Sequence, residues 1–374
     1  MKIAIFDISN YHYTYLYSQC KIFENDRVDF YVSKFLKKSM EKEGVLNNSN
    51  FNWIVLNDFD NKYKYYKKVI KTLNNKKYDY VFFNTLQENW LLNFYFFITV
   101  NKNIKINLTL HNINIFIKCS RKLKIKRLLR TIIRRIAFYR ANSYNVYGEN
   151  LKIYLEKYLM KKNINKPITG IPFSIYENIK CLNDMNNKIK IIIPGTFDLK
   201  RRNYYDIYNL LKNIKNFKFE LILLGRVKKD FEEEILLEKF KKFKEVILFE
   251  EYVSEEVFDE YMRKADILLA PIIKQIEMDG VLEEYGITKE TGVSFAAIRY
   301  SLPVILPKEI KVMKEIEKIA LVYENFEDLI RIVTKLFDDK ALIQKYTEKA
   351  KKISYTYTPL KQREKLFNEL KLGR

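Results

Sequence analysis

Hydrophobic positions along this chain change period at regular intervals. Short apolar runs that read as buried strands are Ile3–Phe6, Val28–Val32, Trp53–Leu56, Tyr80–Phe83, Ile104–Leu110, Ser143–Tyr147 and Ile168–Ile171. Between them lie segments in which apolar residues recur every three or four positions, most clearly Tyr63–Leu73, Leu91–Val100 and Leu123–Tyr139. The rhythm returns with strand-like runs at Ile189–Ile193, Phe219–Leu224, Val246–Phe249, Ile267–Ala270, Val304–Leu306 and Ala320–Val322. Such alternation predicts βαβ units and parallel sheets, an α/β class. The polar, Asn-rich stretch Tyr176–Lys188 interrupts it. Two domains are therefore expected, residues 1–172 and 189–355, joined by a linker at 173–188. An amphipathic helix after Pro359, within 356–374, is expected to cross back to the first domain.

Composition narrows the classes. The 374 residues, 48% of them hydrophobic, suffice for two ordinary cores. No apolar run approaches the ~18 residues of a membrane span. The opening MKIAIFD reads as a first strand and not as a signal peptide. Cys20, Cys119 and Cys181 are too scattered for a zinc site or a disulfide framework, which points to a reducing cytoplasm. His12 and His111 are the only histidines, a poor supply for a metal centre. No metal and no cofactor is expected.

The formal charge is +22, and it is uneven. Residues 1–170 hold 31 Lys/Arg against 12 Asp/Glu, and no acid occurs between Glu88 and Glu149. Within that window, apolar Leu128, Leu129, Ile132, Ile133 and Ile136 share one helical face, with Arg127, Arg130 and Arg134 among the cations lying mainly elsewhere. A basic amphipathic helix suits an anionic membrane surface or another polyanion. A nucleic-acid-binding protein is a rival reading of the same charge, but no RRM or zinc-finger signature accompanies it.

Two segments carry phosphate-like chemistry. In 283–307, EEYGITKETGVSFAAIRYSLPVILP, a loop with Gly286, Lys289, Glu290, Thr291 and Gly292 runs into a helix-length apolar segment. Backbone N–H groups at such a helix start suit a diphosphate. In 191–211, IIIPGTFDLKRRNYYDIYNLL, a strand ends at Gly195, and Lys200, Arg201 and Arg202 precede a helix. Cations at the carboxyl end of a parallel strand can reach a ligand in the crevice there.

Two doubly wound Rossmann-like domains with both phosphate elements in the second resemble the GT-B glycosyltransferases, more narrowly the retaining family 4 type. The resemblance rests on PGTFDLKRRNY, on LILLGR at Leu221–Arg226 with its Gly225, on FEEYVSEEVFDEYMRKADILLAP at Phe249–Pro271, and on EEYGITKETG. It implies a nucleotide-sugar donor in the second domain, with Tyr252 and Val253 at the nucleobase. It also implies catalytic roles at the donor sugar for Glu283 and for His111, which follows the strand ending LTL. His12, at the end of the first strand, would lie on the acceptor side. Transfer to a glycan or lipid-linked glycan in cell-surface polysaccharide synthesis is implied, without metal, at the cytoplasmic face of the membrane. A GT-B nucleotide-sugar epimerase is the alternative. The chain departs from the pattern at the ribose carboxylate, because neither Thr291 nor Ala296 is acidic; Glu290 is a substitute.

Overall fold

The computed structural model describes residues 1–120, 124–178, 188–214 and 218–371. Arg121, Lys122, Leu123, Cys181 and most of the expected linker lie outside the described residues. The first half holds β1 (Lys2–Asp7), β2 (Arg27–Ser33), β3 (Phe51–Leu56), β4 (Tyr80–Phe83), β5 (Ile106–Thr109), β6 (Ser143–Asn145) and β7 (Ile168–Thr169). They form one parallel sheet in the order β3-β2-β1-β4-β5-β6-β7. Ile3 and Ile5 face one layer of core and Ala4 and Phe6 the other, all buried. That is why β1 reads as an unbroken apolar run rather than an alternating one.

The second half holds β8 (Ile189–Pro194), β9 (Phe219–Leu224), β10 (Val246–Leu248), β11 (Ile267–Leu269), β12 (Gln275–Met278), β13 (Val281–Glu284), β14 (Val304–Pro307) and β15 (Ala320–Tyr323). Six of these form a parallel sheet ordered β10-β9-β8-β11-β14-β15. In each sheet the order reverses beside its first strand, between β1 and β4 and between β8 and β11. Loops leaving the carboxyl ends of such strands diverge and leave a crevice.

Two elements bind the halves together. The helix Pro359–Glu369 packs on the first domain, where Arg363 pairs with the buried Asp26 and Glu369 accepts from Lys152 (3.0 Å) and the Gly170 N–H (2.8 Å). The antiparallel hairpin β12–β13 leaves the second domain and inserts Val281 into the first domain's core. Its turn is Asp279-Gly280, both at positive φ (52° and 79°). An Asp-Gly pair takes this mirror-image turn readily, and its twist suits a tight hairpin.

Candidate active site

The two crevices face each other across a cavity of about 640 Å³. On the second-domain side its wall begins where β8 ends, at Pro194-Gly195-Thr196. Gly195 adopts φ 97°, and a Cβ there would sit 2.9 Å from the Arg202 guanidinium. Gly225 lies behind it, with no room for a Cβ, which would fall 2.5 Å from the Gly195 backbone. Arg202 donates Nη1 to the Thr196 carbonyl and Nη2 to the Pro194 carbonyl, both at 2.7 Å. It thus braces the loop, and its buried Nε has no partner among the described residues. Arg201 is held by Asp198 at 3.2 Å, remains half-exposed and lines the cavity.

Opposite stands Lys289, whose ammonium donates to Asn112 Oδ1 at 2.7 Å. Burial, and then the charge of Arg201, pull its pKa down to about 8. Thr291 caps the helix Gly292–Tyr300, its hydroxyl accepting from the Val293 N–H at 3.3 Å. A Cβ on Gly292 would meet nothing within 4 Å, so the space before this helix start is open. Arg201, Arg202, Lys289 and the helix N-terminus at Gly292 therefore line one void.

Glu290 is enclosed beside them. Its Oε1 accepts from the Thr291 N–H (2.9 Å) and the Ser294 hydroxyl (3.1 Å), while Oε2 has no partner among the described residues. Burial lifts its pKa to about 7 despite those bonds. At the other end of the cavity lie Tyr252, largely exposed, and Val253, with Glu255 and Phe258 on the helix that follows.

The first domain contributes the histidines. His111 follows β5 and uses both ring nitrogens: Nε2 donates to the Asn84 carbonyl and Nδ1 accepts from the Tyr147 hydroxyl, each at 2.8 Å. The carbonyl can only accept, which fixes the tautomer. Burial holds its pKa down to about 4, so the ring is neutral. His12 stacks on it at 4.5 Å between centroids, in the left-handed region at φ 68°. Neither nitrogen of His12 is hydrogen-bonded among the described residues, and its ring faces the cavity.

Several expectations are corrected. Glu283 does not line the cavity: as the inward residue of β13 it is wholly buried, accepting the N–H groups of Ile115 (2.9 Å) and Asn114 (3.3 Å) from the other domain. It caps a short helix across the domain junction. His111 has no ring nitrogen left for a donor sugar. Lys200, Gly225 and Gly286 are not on the wall either. Lys200 is exposed beyond the loop. Gly286, at φ 76°, lets the Lys311 backbone approach to where a Cβ would be 1.5 Å away. Arg127, Arg130 and Arg134 turn towards the second domain's hairpin, where Arg134 meets Asp279 at 2.5 Å and Arg130 at 3.5 Å.

No family model matches the chain and no curated protein matches its sequence. Solved structures do. Anabaena Alr3699/HepE in complex with UDP-glucose superposes with a TM-score of 0.67 at 12% identity, over 99% of this chain and 99% of that one. The lipopolysaccharide outer core galactosyltransferase WaaB superposes with a TM-score of 0.57 at 11% identity, over 99% of both chains. The fold is GT-B. A putative UDP-N-acetylglucosamine 2-epimerase from Listeria monocytogenes shares it, with a TM-score of 0.55 at 11% identity over 97% of this chain and 94% of that one. In this GT-B chain the cavity occupies the cleft between the two Rossmann-like domains.

Proposed function

We propose that the protein is a glycosyltransferase using a nucleotide-diphosphate-sugar donor. The observation that carries this reading is the convergence of Arg201, Arg202 and Lys289 on the open N-terminus of the helix Gly292–Tyr300. As a glycosidic bond to a diphosphate breaks, negative charge grows on the leaving oxygens. Fixed cations and N–H dipoles facing that position stabilise the transition state more than the ground state. This serves the leaving group without a metal. The nucleoside extends towards Tyr252 and Val253, and the sugar towards His12. UDP-glucose bound to HepE supports a UDP-sugar as the donor.

The acceptor in this account is a glycan or lipid-linked glycan of a surface polysaccharide, bound on the first domain, and transfer retains the anomeric configuration. Retention rests on the likeness to the family 4 pattern. The epimerase-like neighbour favours one second reading, a nucleotide-sugar epimerase acting without transfer. One experiment separates them. A panel of nucleotide sugars is screened for thermal stabilisation, and the hits are incubated with and without candidate glycan acceptors. Acceptor-dependent release of nucleoside diphosphate supports the transferase. Isomerised nucleotide sugar without acceptor supports the epimerase.

A further inference from the structure

The donor loop does not stand on the second domain alone. After β13 the chain turns on itself. The Glu284 carbonyl accepts from the N–H groups of Thr288 (2.9 Å) and Lys289 (3.2 Å), and the Lys289 carbonyl accepts from the Gly286 N–H at 2.7 Å. The far side of this turn lies against the first domain. Asn112 and Lys289 face each other as an antiparallel bridge, and the Ile113 N–H donates to the Thr288 carbonyl at 2.8 Å. On that backbone seam the side chains also meet, with Lys289 Nζ donating to Asn112 Oδ1 at 2.7 Å. An ammonium can only donate, so the amide's orientation is fixed, with its oxygen towards the lysine. Nδ2 then points away, buried and without a partner among the described residues. A buried donor left unpaired is costly. What the amide offers against that cost is its oxygen.

We infer that Asn112 of the first domain is a positioning residue for the diphosphate site, a neutral tether that holds the Lys289 ammonium at the cavity wall. A free lysine side chain samples many rotamers, and ordering it on binding costs affinity. A tether removes that cost beforehand. A carboxylate in the same place would grip the ammonium more strongly, but it would cancel the charge that faces the ligand. An amide oxygen fixes the position and leaves the full positive charge. The site is therefore composite. Arg201, Arg202 and Gly292 come from the second domain, but the placement of Lys289 comes from the residue next to His111. The tether lies 177 positions before the lysine, so no local pattern in EEYGITKETG could disclose it. That Asn112 holds the ammonium stands on geometry; what the ammonium is held for rests on the transferase reading.

The test follows Lys289 itself in the full chain. Its rate of acetylation by acetic anhydride is measured against pH, by mass spectrometry of the peptide that carries it, beside calorimetry with UDP. The other charged groups around the ammonium are Arg201 across the cavity, Glu283 and Glu290 on its own segment, and His12 and His111 from the first domain, both held neutral by burial. The Tyr285 ring lies 5.9 Å from it. None of these is altered in the variants, so a shift reports on position 112. The wild-type midpoint is expected at about 8. Asn112→Asp, the same shape with a charge, should raise it by about one pH unit or more and weaken UDP by about ten-fold despite the stronger bond. Asn112→Ala should lower it, because the charged form loses its acceptor, and should also weaken UDP by about ten-fold. A merely structural Asn112 would lower melting and leave the midpoint in place. Melting curves check each variant, and if Asn112→Ala does not fold, the isosteric Asn112→Asp decides. An unchanged midpoint in Asn112→Asp overturns the inference. So does wild-type or tighter UDP binding in either folded variant. Shifted midpoints in a protein that ignores UDP would sink the diphosphate reading and leave the tether standing.

Discussion

His111 lies flat against His12 at 4.5 Å and gives both of its own nitrogens away, one to the Asn84 carbonyl and one to the Tyr147 hydroxyl. The division of labour follows from that geometry. His111 is a positioning residue; His12 presents the free imidazole. His12→Ala is expected to weaken nucleotide-sugar binding by about ten-fold, the worth of one hydrogen bond, and to leave nucleoside diphosphate binding unchanged. Tyr147→Phe should cost about 1–2 kcal/mol of stability by orphaning His111 Nδ1. Calorimetry with both ligands, beside thermal melts, checks the pair. Equal losses for both ligands in His12→Ala would put that residue elsewhere than at the sugar.

Arg201, Arg202 and Lys289 differ in what they already do. Arg201→Ala and Lys289→Ala should each cost about 1.5–3 kcal/mol of diphosphate affinity with little change in melting. Arg202→Ala should lower melting as well, because its guanidinium holds the Pro194 and Thr196 carbonyls. Lys289 adds a pH signature. Its pKa in the free protein is held down to about 8 by burial and Arg201, and only the ammonium attracts the anion. Affinity should therefore fall as pH rises through about 8, and Lys289→Met should abolish that fall.

Glu290 offers the opposite linkage. Its folded pKa is raised to about 7 from 4.5, because burial penalises the carboxylate. The protonated form belongs to the folded state, so this contribution is complete below about pH 4.5 and is lost as pH rises through 7. Glu290→Gln removes it. The variant's stability relative to wild type should climb between pH 4.5 and 7, on the order of 2–3 kcal/mol in all, by denaturant titration at several pH values. A constant difference across that range would mean the side chain is solvated.

Glu283 and Asp279 anchor the hairpin β12–β13 against the first domain. Glu283→Ala leaves the buried N–H groups of Asn114 and Ile115 unpaired and should cost about 2–4 kcal/mol of stability. Arg134→Ala strands Asp279 with a milder loss. Both should retain diphosphate binding wherever they remain folded. Glu283→Ala with native stability and no transfer would return that residue to the catalytic group.

Much of the fold was legible because parallel strands buried on both faces leave apolar runs that punctuate helical periodicity. β4, Tyr80–Phe83, and β9, Phe219–Leu224, lie where the pattern puts them. The hairpin was missed, although Asp279-Gly280 between Gln275–Met278 and Val281–Glu284 is a strong turn signal. Missing it left Glu283 reading as a loop residue. The helix Ile125–Arg140 shows another limit. Periodicity separates its faces, but the partner of the buried Arg134 is Asp279, 145 positions further along the chain. His12 gave no local sign of its left-handed backbone. Its stacking on His111 joins the ends of β1 and β5, which only the sheet order brings together.

The central claim is that the void before the helix Gly292–Tyr300 holds a diphosphate, and Gly292→Val tests it most directly. Gly292 has normal backbone geometry for any residue and an empty space where a side chain would go, so the variant should fold and melt as the wild type does. Its side chain would fill the position of the phosphate oxygens. Calorimetric titration with UDP should show binding in the wild type and a loss of about a hundred-fold or more in Gly292→Val, from steric exclusion together with the lost N–H contacts. Wild-type affinity in a folded Gly292→Val protein would contradict the account.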